Sequence, residues 1–126
     1  MVLNSINEWS DLFTQIMNTG LIKNDWLYID LWSAAHIAVG LILMYLIVEY
    51  KIFHNKKTKQ YALILVIAVG WEVYEWIFYS RGIFFAVDTK ANLVWDIISG
   101  MIGAWLYIKG DKLVNREVKE LEKIKG

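Results

Sequence analysis

The chain has no cysteine and no proline, and only two histidines among its 126 residues. The missing cysteine excludes a disulfide framework and a thiolate metal site. The missing proline means that any helix kink must come from glycine or from a side chain inserted into the hydrogen-bond ladder. Positive charge is scarce at the start: through Asp30 the only base is Lys23, set against Glu8, Asp11, Asp25 and Asp30. The beginning therefore lacks the basic n-region and compact apolar stretch of a cleavable signal peptide. No phosphate-binding glycine loop, Ser/His/Asp pattern or nucleic-acid module is present, and nucleic acid is not an expected partner.

What the chain has in quantity is apolar surface, 57% of its residues, gathered into runs at Leu31 to Tyr50, Tyr61 to Tyr79 and Ala91 to Ile108. Each run has about the 17–25 residues that cross a hydrocarbon core ~30 Å thick. A soluble domain with three such runs would have too little polar face to meet water. The expected fold is all-α: one integral membrane domain over 1–126, with three transmembrane helices at 31–50, 61–79 and 91–108. An N-terminal interfacial segment covers 1–29, and a charged C-terminal helix forms a tail over 110–126.

Charge asymmetry orients these spans. The first connection carries Lys51, Lys56, Lys57 and Lys59 without an acid, and the tail carries Lys109, Lys112, Arg116, Lys119, Lys123 and Lys125. The positive-inside rule then puts both in the cytoplasm, with the N-terminus outside. Before the first span, Ser5 and Glu8 fit a capping box, followed by Ile6, Trp9, Phe13, Ile16 and Met17 at helical spacing. This predicts an amphipathic interfacial helix ending near Gly20. Between the second and third spans, Gly82 to Val87 is too short to cross and is expected to lie in the interface or dip into it.

Four ionisable residues fall inside the spans: His36, Glu72, Glu75 and Asp96. A charge near the bilayer centre costs on the order of 3 kcal/mol on insertion scales, so such residues usually face a bundle interior or a watery cavity. With the predicted directions, His36 lies roughly 7–8 Å from the outer end of its span, Glu75 about 6 Å, Glu72 about 10 Å and Asp96 about 7 Å. One outward-facing polar chamber is the expectation. Ser33 and Ser99 stand one turn from His36 and Asp96, and Gly40 and Gly100 follow those residues by four.

Three uses of the chamber compete. Imidazole and carboxylates suit a divalent zinc, manganese or iron ion, with His36, Glu72, Glu75 and Asp96 as ligands. Burial can instead tune a carboxyl for acid–base work with His36, in catalysis or proton movement. Or the cluster is structural glue between helices, worth only ~0.6 kcal/mol per contact on average. Around it, Trp71 and Trp95 offer aromatic faces and Arg81 a cation for a ligand, while Ser33 and Ser99 offer hydroxyls. Whether the protein is an enzyme stays open at this point.

The stretches His36-Ile37-Ala38-Val39-Gly40, Trp71-Glu72-Val73-Tyr74-Glu75 and Asp96-Ile97-Ile98-Ser99-Gly100-Met101-Ile102-Gly103 resemble the VanZ-like integral membrane proteins. Those proteins pair a histidine and glycine on an early span with a later glutamate and a terminal Asp-to-Gly pattern. Ser99 stands where the family often has asparagine, and three spans replace a longer set. The resemblance implies a cell-envelope role such as an altered response to glycopeptides. The preferred expectation is a membrane protein that binds a lipid-linked or glycan-type ligand, with processing of that ligand left open. Alternatives are a homo-oligomeric, holin-like pore and a small subunit of a larger membrane complex.

Overall fold

The computed structural model describes residues 9, 11–13, 15–17, 19–23, 28–81 and 90–125. Its regular structure is almost wholly helical: α1 (Leu31–Glu49), α2 (Lys57–Ser80) and α3 (Lys90–Lys125). All three are long and apolar enough to cross a membrane. A two-residue antiparallel ladder, β1 (Ile22–Lys23) against β2 (Tyr28–Ile29), precedes α1 and pairs Ile22 with Ile29. No pattern of residues signals it in advance. The described residues between Trp9 and Met17 are helical, and Phe13 sets its ring edge-on against Trp32, 6.0 Å between centroids. The expected capping box at Ser5 and Glu8 and the segment from Gly82 to Val87 lie outside the described residues.

The helix limits depart from the apolar runs in two places. The second helix starts at Lys57, four residues before its apolar run, because Lys57 to Gln60 satisfy the backbone as well as apolar residues do. The third continues unbroken from the apolar stretch through Gly110 into the charged tail, 36 residues in all. Span and tail are therefore one rod about 54 Å long, well beyond a ~30 Å hydrocarbon core. Between α1 and α2 the chain turns through Lys51, Phe53 and Asn55, all at positive φ. Gln60 Nε2 donates to the Ile52 carbonyl at 3.0 Å and ties that turn to α2.

Burial is inverted relative to a soluble protein. Asp30, Ser33, Gln60, Glu72, Asn92, Asp96 and Ser99 are buried, while Val66, Trp76, Val94 and Trp105 are among many large apolar side chains left exposed. Polar groups are buried where they find partners, and outward apolar faces suit lipid. The contact between α1 and α3 is the most extensive, and α2 rests more lightly on the pair. At the end where α2 begins, Met44, Ile47, Ile64, Ala104 and Ile108 form an apolar core. The buried polar residues other than Gln60 lie toward the opposite end.

Candidate functional site

The close crossing of α1 and α3 sets up the site. A Cβ added at Gly40 would land on the Gly100 carbonyl oxygen and lie 2.7 Å from its carbon. One added at Gly103 would meet the Ile37 carbonyl and come within 2.8 Å of the Leu41 nitrogen. The two backbones therefore touch, which small residues permit in lipid. One turn before Gly40 stands His36, and one turn before Gly100 stands Asp96. The crossing brings them together, with His36 Nδ1 3.5 Å from Asp96 Oδ1.

The imidazole is fixed from its own helix. His36 Nδ1 lies 2.8 Å from the Trp32 carbonyl oxygen, which can only accept, so Nδ1 carries the hydrogen. That leaves Nε2 toward α2, 3.9 Å from Glu72 Oε1. Glu72 and Asp96 are only 6% and 2% exposed. One donor atom from each of His36, Glu72 and Asp96 lies within 4.8 Å of the other two. Two ionised carboxylates at such a separation repel by about 3 kcal/mol even at an effective dielectric of ~20. Within the trio one imidazole can offset at most one of them.

Measured along the helices, His36 lies about 8 Å from the start of α1, Glu72 about 12 Å from the end of α2 and Asp96 about 9 Å from the start of α3. The single layer expected from the sequence is thus present for these three. Glu75 stands apart from them. Its Oε1 accepts a 2.6 Å hydrogen bond from Trp71 Nε1, four residues back on the same helix. An i, i+3 pair differs by about 60° around a helix, and only Glu72 is turned fully into the bundle.

The secondary candidates separate in the same way. Ser33 is buried, yet it serves helix capping: its N–H donates to Asp30 Oδ1 at 2.9 Å, and its hydroxyl lies 3.2 Å from the same oxygen. Ser99 is buried on α3 one turn beyond Asp96. Trp95 is half-buried beside Asp96, whereas Trp71 is exposed and Arg81, the C-cap of α2, is exposed as well. A residue that sequence reasoning passed over is Asp30, counted there only as an outside charge. It is 1% exposed, caps α1 and leaves Oδ2 without a hydrogen-bond partner among the described residues. The signal was the Asp-x-x-Ser spacing of a capping box at the start of the apolar run.

An apolar cavity of about 180 Å³ lies between α1 and α2. Ala35 and Val39 line it from α1, Ile67, Ala68 and Trp71 line it from α2, and His36 forms part of the wall. A cavity of about 150 Å³ in a soluble core accommodates benzene, so the space suits a length of hydrocarbon. The imidazole thus borders both the carboxylates and an apolar trough. Compared with family models, curated proteins and solved structures, the chain matches none.

Proposed function

We propose that this chain is an integral membrane protein of the cell envelope that binds a lipid-linked ligand, its apolar chain between α1 and α2 and its polar head at His36, Glu72 and Asp96. The observation that carries this reading is the shared wall: His36 lines the apolar cavity and also faces both buried carboxylates. A glycan on the head group would meet Trp71 and Trp95 nearby. Processing of the ligand would draw on the same trio as acid and base. The basic turn and the basic end of α3 favour an arrangement with the N-terminus outside and the C-terminus cytoplasmic, which opens the site outward. The resemblance to VanZ-like proteins points to the same compartment.

A holin-like pore would need its acids on faces that meet other copies, whereas Glu72 and Asp96 are turned into the bundle of one chain. The lipid reading is tested by native mass spectrometry of protein extracted in mild detergent. The wild type is expected to retain a lipid, and Ala68→Trp, which fills the cavity wall, to lose it. Identical lipid retention in both proteins would overturn the assignment. In cells, His36→Ala, Glu72→Gln and Asp96→Asn are expected to remove the glycopeptide response while membrane levels of the protein hold.

A further inference from the structure

We infer that His36, Glu72 and Asp96 bind a divalent cation of the zinc, manganese or iron type, which in turn holds the head group of the ligand proposed above. The inference rests on that reading for the ligand but not for the ion. One imidazole nitrogen and two carboxylate oxygens, one from each helix, form a donor set suited to these metals. Magnesium and calcium favour oxygen alone, and the imidazole counts against them.

The tautomer is already the one a metal needs. A ligating histidine commonly donates its other ring N–H to a carbonyl or carboxylate, which orients the ring and raises its basicity. His36 does this through Nδ1 to the Trp32 carbonyl at 2.8 Å, which in the neutral ring leaves the Nε2 lone pair facing Glu72. Charge closes as well. A neutral imidazole, two carboxylates and a divalent ion sum to zero, whereas a charged imidazole with two carboxylates does not.

The distances require modest closure. Metal–ligand bonds of ~2.1 Å in a tetrahedron place donor atoms roughly 3.4 Å apart. The Nε2–Oε1 separation of 3.9 Å exceeds this by about 0.5 Å, and the 4.8 Å limit of the trio by about 1.4 Å. Asp96 Oδ1 lies 3.5 Å from Nδ1, so its carboxyl group must turn toward Nε2 to join Glu72 about one ion. Three protein ligands leave one position open, where a phosphate or carboxylate oxygen of a head group can coordinate.

The test is metal analysis of the full chain purified in detergent without chelator, followed by titration of the metal-free protein with Co²⁺. About one equivalent of metal per chain is expected, together with a visible Co²⁺ spectrum of nitrogen–oxygen coordination. His36→Ala, Glu72→Gln and Asp96→Asn should each weaken Co²⁺ binding at least about tenfold. Glu75→Gln, which alters the Trp71 contact outside the trio, should bind as the wild type does. Circular dichroism on each variant separates loss of the site from loss of the fold. Wild-type protein that carries no metal and gives no Co²⁺ spectrum overturns the inference, as does equal loss in Glu75→Gln. Lipid retained without metal would sink the ion and spare the lipid reading, whereas metal bound without lipid would do the reverse.

Discussion

Alanine substitutions at Gly40, Gly100, Gly103 and Gly70 should rank in an order that the sequence does not suggest. Gly100 and Gly103 belong to one Gly-x-x-Gly stretch and look equivalent as a helix-packing motif. The structure separates them. At Gly40 the new Cβ would lie 2.7 Å from the Gly100 carbonyl carbon, where ordinary contact begins near 3.4 Å. The neighbour is backbone, which cannot rotate aside, so α1 and α3 must part by at least about 0.7 Å, and by more to clear the carbonyl oxygen. Gly103→Ala meets the Ile37 carbonyl in the same way. Overpacking of this kind costs roughly 1–3 kcal/mol. At Gly100 the Cβ would find only the His36 carbonyl oxygen at 3.8 Å, an ordinary contact, and at Gly70 nothing within 4 Å. Those two variants should be neutral or gain up to about 1 kcal/mol from the better helix former. Unfolding by SDS titration in mixed micelles reads the ranking. Gly40→Ala and Gly103→Ala should also disturb the 3.5 Å approach of His36 to Asp96 and weaken Co²⁺ binding. Gly100→Ala as damaging as Gly103→Ala, or Gly40→Ala without effect, would refute the backbone-contact argument.

Two further outcomes follow from local geometry. Asp30→Ala removes the side-chain half of the capping box at the start of α1, leaving the residue-30 amide to Ser33 Oγ, and should cost about 1 kcal/mol. Asp30→Asn, which can still accept from the Ser33 amide, should lose less. Thermal unfolding in detergent, with amide exchange at the first turn of α1, distinguishes the pair. Gln60→Ala releases the Ile52 carbonyl and should speed trypsin cleavage at Lys51, Lys56 and Lys57 in inverted membrane vesicles. Cleavage there in right-side-out vesicles instead would reverse the proposed topology.

The three long helices were legible because apolar runs of membrane length admit few other folds. Convergence of His36 on Asp96 was legible too, since each is followed four residues later by a glycine, and the bare backbone at Gly40 lets the Gly100 carbonyl come close. Two things were not. Glu75 and Glu72 are both within one turn, and spacing alone does not say which is turned inward; the Trp71 indole holds Glu75 at the rim. The unbroken course of α3 was also hidden. A change from apolar to charged side chains marks a change of solvent, but the backbone hydrogen bonds of a helix are indifferent to it, and Gly110 has open space around it and no proline beside it.

That unbroken course gives the molecule a lever arm. From the crossing at Gly103 to Lys125 the rod extends about 33 Å, so a tilt of ~5° at the crossing would displace its far end by roughly 3 Å. Any tilt of α3 that accompanies closure of the trio thus has a mechanical counterpart at the charged end, without any hinge between them. Ligand occupancy at one end of the bundle can in this way be felt as position by whatever meets Arg116, Lys119 and Lys123 at the other.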